Sequence, residues 1–292
     1  MTYQPPEERE TYNELIEKLE QILQGSSDQL KAFLLSIDFQ NLSPKDQREI
    51  EKRIDEILIT TNQQLFTWVD MAINYAYIVG VAITLMTLGL QPAMKAAKDT
   101  VKMGNQLNKQ TVNQIKKVTY NDLLLMTQNT SQRVKDVVTR VVMENIRNRE
   151  IGVSLKENYR NIIRGLKEEA SQAADFSIID RANRTWTIES YSKMVARTKV
   201  MQAQFEGTIN ESLKREAYYG VISSHNSKHA SCRKWEGKIV KLTADVPGDY
   251  PLLSDLRAYE FKEIFHPSCK HHVFPVRNLE ALPPQIKERN EK

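Results

Sequence analysis

Histidine and cysteine are confined to a short part of this 292-residue sequence, from position 225 to position 272. Two pairs in this part share one spacing, His229-x-x-Cys232 and His266-x-x-Cys269. Because two such pairs on separate loops can aim four donors at one point, the spacing favours a tetrahedral zinc ion. Four protein ligands would leave no position for a water molecule, so this zinc site would be structural.

Other arrangements of the same residues stay open. His271 or His272 could replace one of the four ligands, or both sulfurs could simply pack among scattered polar residues. A disulfide between Cys232 and Cys269 is less favoured, because so few cysteines indicate a protein made where thiols stay reduced. Residues 1–10 have neither a basic start nor an apolar run, and we expect no signal peptide.

Motifs of the common catalytic classes are absent from the sequence. It contains no nucleophile elbow, P-loop, dinucleotide-binding fingerprint or H-E-x-x-H pair. The enzymatic alternative is a zinc-dependent hydrolase or nuclease acting on nucleic acid. It would need an open metal position and a general base such as Glu236 or Asp255. We expect a protein that is not an enzyme, and the number of protein ligands on the metal separates the two readings.

Proline content divides the chain that must position these residues. Between Lys45 and Val246 the only proline is Pro92, whereas six prolines lie between Pro247 and Pro284. Because proline disrupts a helix interior, the proline-poor part permits long helices. An apolar stripe at helical spacing supports this prediction: Val134, Val137, Val138, Val141 and Ile146.

Local signals place the ends of individual helices. Ser43-Pro44-Lys45-Asp46 combines an N-cap residue, a proline at the first helical position and an acidic first turn. A further helix is predicted from about Ile188 to Tyr219, with Gly220 placed to end it.

Short apolar segments replace the helical pattern after Gly220. Residues 238–242 and residues 272–276 are predicted to be strands, with Glu236-Gly237 as a turn, and Val221-Ile222 is a further short apolar piece. We therefore predict a mainly α protein with a small C-terminal α+β module. The expected parts are a helical body over residues 1–180, the module over residues 181–276, and a polar, loosely held tail over residues 277–292.

An uncharged run at residues 71–91 is close in length to a membrane span. It contains Asn74, Tyr75 and Thr84, however, and Asp70 precedes it where a basic flank would be expected. A helix that is apolar all round is more often buried in a core or a subunit interface. We therefore expect no membrane anchor.

The stretch at residues 93–120 is basic and rich in amide side chains. Its lysines face a single acidic residue, Asp99, and are Lys95, Lys98, Lys102, Lys109, Lys116 and Lys117. Such a helix could lie along the phosphates of double-stranded DNA without sequence preference. A solvated helix face is the alternative, and the net charge of +4 does not decide between them.

Five segments between Arg184 and Phe274 follow one another in a characteristic order. They are Arg184-Thr185-Trp186-Thr187-Ile188-Glu189-Ser190-Tyr191, Met194-Val195-Ala196-Arg197-Thr198, Ser223-Ser224-His225, Trp235-Glu236-Gly237-Lys238-Ile239-Val240 and His266-Pro267-Ser268-Cys269-Lys270-His271. Together they resemble the phage minor capsid protein 2 family, which is related to Mu-type phage head morphogenesis proteins. Mu-type relatives often have C-x-x-C at positions 229–232 and a cysteine in place of His271.

The resemblance implies a structural virion protein present in few copies per particle. It would be made in the bacterial host cytoplasm and built into the procapsid interior or the portal vertex. Its expected partners are the portal protein, the major capsid or scaffolding protein, and packaged double-stranded DNA bound without sequence preference.

Overall fold

Long α-helices make up most of the chain. The computed structural model describes residues 6–101, 106–151, 156–176, 178–179, 185–258, 263–266 and 269–291. The helices are α1 Pro6–Ser36, α2 Pro44–Thr87, α3 Met94–Thr100, α4 Gln106–Ile151, α5 Lys156–Ala173, α6 Ile188–Lys214, α7 Ala230–Arg233, α8 Leu253–Leu256 and α9 Pro284–Asn290. The predicted class, mainly α with a small C-terminal α+β module, is confirmed.

A three-stranded antiparallel sheet forms the centre of the C-terminal module. Its strands are β3 Tyr219–Ile222, β4 Ile239–Lys241 and β5 Val273–Val276, in the order β4-β3-β5. Two short strands, β1 Ile178–Ile179 and β2 Thr185–Trp186, pair separately. The two strands predicted after residue 220 are confirmed as β4 and β5, the short apolar piece Val221-Ile222 lies in β3, and the predicted turn places Gly237 at a φ of 75°.

The predicted start of α2 is confirmed by a reciprocal cap. The Ser43 hydroxyl accepts a hydrogen bond from the Asp46 amide at 3.3 Å, and the Asp46 carboxylate accepts one from the Ser43 amide at 2.8 Å. These contacts satisfy donors that would otherwise have no partner at the start of the helix. The four valines of the stripe on α4 are also buried, as their spacing indicated, whereas Ile146 is 40% exposed.

The predicted end of α6 is wrong by about one turn. The helix ends at Lys214, and Gly220 lies inside β3 instead of ending the helix. Glu216 takes the left-handed conformation, with a φ of 59°, and the Ala217 amide closes the turn by donating to the Ser212 carbonyl at 2.9 Å. Gly220 is required elsewhere, because a Cβ there would lie 2.2 Å from a methyl group of Val273.

The chain divides into two compact units. One contains residues 1–15, 70–117 and 194–292, and the other contains residues 16–69 and 118–193. Each is built from segments that are distant in sequence. The division into a body, a module and a tail remains a prediction about function and is not the same partition.

The unit formed by residues 16–69 and 118–193 has its own helical core. Leu19, Leu23, Ile54 and Leu123 are among its fully buried side chains. The buried Asn145 amide donates to the carbonyls of Phe39 and Leu42 at 3.0 and 3.2 Å, which satisfies backbone groups in the connection between α1 and α2.

The apolar run of α2 is buried inside the other unit. One helix window is long and apolar enough to cross a membrane, with a mean hydropathy of 1.6, but 67% of it is buried within the protein. Part of α6 covers it at a very close crossing. A Cβ on Gly80 would lie 2.0 Å from the Gln204 carbonyl oxygen, and one on Gly207 would lie 2.2 Å from that of Tyr77. Only glycine permits this approach of the two backbones.

Hydroxyl groups join the two helices beside the paired glycines. Thr208 donates to the Gly80 carbonyl at 3.2 Å, and Thr84 donates to the Thr208 carbonyl at the same distance. The buried Thr84 hydroxyl of the apolar run is therefore satisfied by the partner helix, which fits the expectation of a buried helix.

The C-terminal tail is packed against the sheet, contrary to the expectation of a loosely held segment. The Asn290 side chain accepts from the Ile239 amide at 2.9 Å and donates to the Gly237 carbonyl at 3.0 Å. Leu282 and Ile286 add apolar contacts to a second small core. A mostly polar segment can pack in this way because a few apolar side chains, together with an amide side chain that bonds to the backbone, are enough to hold it against the sheet.

We expect alanine at Gly80 or Gly207 to lower the free energy of unfolding by about 3 kcal/mol, because the new methyl group would force the two backbones apart. Alanine at Gly165 is the matched control. This helical glycine has no atom within 4 Å of its missing Cβ, and the change should stabilise α5 by about 0.5 to 1 kcal/mol. Urea unfolding followed by circular dichroism measures both. Wild-type stability in the Gly80→Ala variant would contradict the crossing.

Candidate metal centre

Local structure brings the two H-x-x-C pairs to the same side of the module. Cys232 lies on the single turn of α7, for which His229 is the N-cap residue. The second pair forms a tight turn in which the Cys269 amide donates to the His266 carbonyl at 2.8 Å. Phe265, immediately before this turn, has a φ of 57°. Both pairs are thus held by turn geometry, as their spacing suggested.

Three of the four predicted ligands meet. Donor atoms of Cys232, His266 and Cys269 all lie within 4.8 Å of one another, and Cys232 Sγ lies 3.2 Å from His266 Nε2. His229 is exposed and outside this group, with its ring centroid 6.1 Å from that of His266. Two sulfurs and an imidazole nitrogen are donors that zinc prefers, so the cluster is compatible with a zinc ion.

Burial favours the uncharged forms of two potential ligands, Cys269 and His266. Burial raises the pKa of the Cys269 thiol to about 11, and the adjacent Cys232 thiol adds to this rise. Burial lowers the pKa of His266, and the charges of His229 and His271 lower it further. A neutral imidazole is the form that binds a metal, whereas the thiols must lose their protons on binding.

A buried carboxylate lies behind the cluster, in the turn that joins α7 to β4. Glu236 Oε1 lies 3.0 Å from His271 Nε2 and accepts hydrogen bonds from the amides of His225 and Ser227, each at 3.0 Å. The Ser224 hydroxyl donates to Oε2 at 3.1 Å. Burial alone would raise the pKa of Glu236, but these hydrogen bonds together lower it to about 2. The carboxylate is therefore ionised at neutral pH.

His271 joins this carboxylate to the cysteines. Its Nδ1 atom lies 3.1 Å from Cys269 Sγ, on the opposite side of the ring from Glu236. The sequence predicts His271 as a replacement ligand and Glu236 as a general base, but it does not indicate that the two side chains are in contact. Because 35 positions separate them, no local pattern indicated the contact.

Two further histidines belong to the surrounding packing. His225 Nε2 lies 2.8 Å from the Ser223 hydroxyl oxygen, which also accepts from the His272 amide at 2.9 Å. His272 Nδ1 lies 3.0 Å from Gln204 Nε2, which connects the closing strand to α6. The histidines of the module therefore form one continuous network beside the cysteines.

The predicted nucleic-acid-binding lysines differ in their surroundings. Lys95, Lys109 and Lys117 are exposed, whereas Lys116 forms an ion pair with Asp70 at 2.6 Å. Lys98 lies over the Tyr75 ring, 5.2 Å from its centroid, and Lys102 lies outside the described residues. The stretch therefore presents fewer unneutralised charges than its sequence suggested, because α2 supplies an acidic partner.

Comparison with known proteins gives one match. The sequence model described as phage minor capsid protein 2 matches residues 16–291, which include both the long helices and the cysteine–histidine cluster. No curated protein and no solved structure matches this chain.

Proposed function

The chain belongs to the phage minor capsid protein 2 family, and from this premise we propose that it is a low-copy structural protein at the portal vertex or procapsid interior. The family match over nearly the whole chain carries this proposal. A structural role in the phage capsid follows from the family itself, whereas the portal association and the copy number are the proposed refinement.

The helical surfaces support a role in docking. In the unit of residues 16–69 and 118–193, Phe66 and Met143 have exposed fractions of 60% and 62%, and Leu125 is exposed to 57%. Exposed large apolar side chains on helices are typical of surfaces that pack against other proteins. We propose that this unit contacts the portal, with the major capsid or scaffolding protein as the further partner.

The surroundings of Glu236 weigh against the enzymatic alternative. A zinc hydrolase or nuclease needs a general base that can take a proton from a metal-bound water. Both oxygens of Glu236 already accept hydrogen bonds, and the low pKa makes this carboxylate a weak base. Asp255, the other candidate base, is exposed on α8. A structural family and an occupied carboxylate both favour a role without catalysis.

Zinc held by the cluster would be a structural element of the module. The core around the sheet is small, with Ile222, Val240, Leu253 and Val273 among its buried members. When bound, zinc supplies cohesion between the α7 turn and the turn of His266 and Cys269, and the chain itself orients the donors. In this proposal Cys232, His266 and Cys269 are three of the ligands.

Contact with packaged DNA is the third part of the proposal. The exposed Lys95, Lys109 and Lys117 lie in the same compact unit, and the surrounding Asn113 and Gln114 are exposed amides that can also reach phosphates. Such contacts bind the backbone of double-stranded DNA without reading its sequence.

We expect quantitative mass spectrometry to find the intact protein at a few copies per particle in both DNA-filled particles and empty procapsids. The major capsid protein gives the reference amount, and an abundant host protein measures contamination. Presence only in procapsids would contradict a permanent virion role and indicate an assembly factor. Absence from both particles would contradict the virion proposal.

We expect Cys269→Ser to abolish zinc binding and to expose residues 219–291 to protease, because one of the thiolates that join the two turns is lost. Lys270→Ala changes the exposed neighbour and is the matched control. Elemental analysis should find about one zinc per wild-type chain. Limited proteolysis should leave the helices of residues 16–69 and 118–176 intact. Unchanged zinc content and resistance in Cys269→Ser would contradict a structural zinc.

Replacing Lys95, Lys109 and Lys117 by glutamine should weaken DNA binding and make it less sensitive to salt. The slope of log K against log salt should fall in magnitude by about 2 to 3, because each phosphate contact contributes roughly 0.9. Lys45, Arg48 and Lys52 on α2 are exposed, and their replacement by glutamine removes the same charge elsewhere. An equal effect of this control, or wild-type binding that ignores salt, would contradict the proposed DNA-binding face.

A further inference from the structure

The three-ligand cluster has a histidine on either side, and the two histidines differ in their surroundings. We propose that His271, through Nδ1, is the fourth zinc ligand and that Glu236 is the residue that positions it. The inference rests on the zinc site proposed above. It replaces His229 of the sequence-based ligand set and makes the site a closed centre of two thiolates and two imidazoles.

The distances between nitrogen and sulfur donor atoms support His271 as a zinc ligand. His271 Nδ1 lies 3.1 Å from Cys269 Sγ, and the cluster already contains a similar contact of 3.2 Å between His266 Nε2 and Cys232 Sγ. In a tetrahedral zinc site, with Zn–S of about 2.3 Å and Zn–N of about 2.0 to 2.1 Å, neighbouring sulfur and nitrogen ligands lie roughly 3.5 Å apart. Each cysteine is thus paired with one imidazole at close to the separation that zinc requires. His271 lies outside the group of three whose donor atoms are all within 4.8 Å of one another, so its ring would move towards Cys232 and His266 when zinc binds.

The other ring nitrogen of His271, Nε2, supports the same assignment. His271 Nε2 lies 3.0 Å from Glu236 Oε1, so this carboxylate can accept the Nε2 proton and leave the Nδ1 lone pair facing Cys269. Histidines that bind metals commonly donate their other ring N–H to a carboxylate, which fixes both the tautomer and the ring orientation. Glu236 is itself fixed by the amides of His225 and Ser227.

Burial favours His271 over His229 as the fourth ligand. Both His271 and Glu236 are buried, with side-chain exposures of 4% and 5%, whereas His229 is exposed. Within the described residues, no hydrogen bond joins the His229 ring to a carboxylate. An exposed side chain must lose rotamer freedom when it binds a metal, while the His271 ring is already oriented.

A closed site of this kind has no position left for a reacting water molecule. The ligand class is a soft-to-borderline divalent cation, Zn²⁺ in the cell and Co²⁺ as a spectroscopic substitute. The same four donors would hold the turn of α7, the turn of His266 and Cys269, and the start of β5 together.

Cobalt substitution of the full-length protein tests this assignment. Wild type and His229→Ala should both give the intense d–d absorption of a four-ligand tetrahedral site. His271→Ala should bind Co²⁺ more weakly and shift the d–d bands, because a water molecule replaces an imidazole as the fourth ligand. His271→Cys should restore tight binding and raise the thiolate-to-cobalt charge-transfer absorption by about half, because three thiolates replace two. This gain of signal separates ligation from a merely structural effect.

Glu236→Gln tests the positioning residue. It keeps the shape of the side chain and should weaken metal binding about 10- to 100-fold, with the tetrahedral spectrum retained at saturating Co²⁺. Unchanged affinity in this variant would overturn the role of Glu236. Weaker Co²⁺ binding with shifted d–d bands in His229→Ala, and neither change in His271→Ala, would overturn the fourth-ligand assignment while leaving the zinc site intact. Failure of the wild-type protein to bind either metal would overturn the zinc proposal itself.

Discussion

Direct backbone contact between α2 and α6 organises the unit that contains the candidate metal centre. Paired glycines allow the two helices to meet without intervening side chains, and threonine hydroxyls satisfy the polar groups beside them. Gln204, whose carbonyl oxygen faces Gly80, also accepts from the Tyr12 hydroxyl at 2.7 Å and reaches His272 at 3.0 Å. The next residue, Phe205, belongs to the core beneath the sheet. One crossing therefore determines where α6 presents its side chains to the module.

The cluster of cysteines and histidines depends indirectly on the crossing of α2 and α6. β5 begins immediately after His271 and His272, and its pairing with β3 fixes the position of both histidines relative to the α7 turn. A buried, fully hydrogen-bonded carboxylate then stands between the loop after β3 and the start of β5. Substitutions within such a network are destabilising, because each buried polar group left without its partner would cost free energy. The module is thus ordered by polar contacts as well as by its small apolar core.

Local sequence signals predicted those features that depend on near neighbours. Helix caps, the valines of α4, two of the three strands and the H-x-x-C turns all depend on residues that lie close together in the sequence. Three of the four proposed ligands came together for that reason. The contacts that were missed join distant positions: Glu236 with His271, Lys116 with Asp70, and Gly80 with the backbone of α6. A glutamate in a turn or a glycine in an apolar helix has no signature that reveals its partner. Gly220 was predicted to end α6 because the sequence does not distinguish a glycine that ends a helix from one that is required by a close side chain on a neighbouring strand.

The C-terminal tail protects an edge of the sheet against pairing with other chains. Edge strands with free amides and carbonyls can pair with strands of other chains and begin aggregation. Here the Asn290 side chain accepts from the Ile239 amide, the Lys241 amide donates to the Pro251 carbonyl, and Pro275 removes a donor from the opposite edge strand. The sheet thereby offers few backbone groups to a strand of a neighbouring chain, so contacts with other proteins are favoured through helices over pairing of sheet edges.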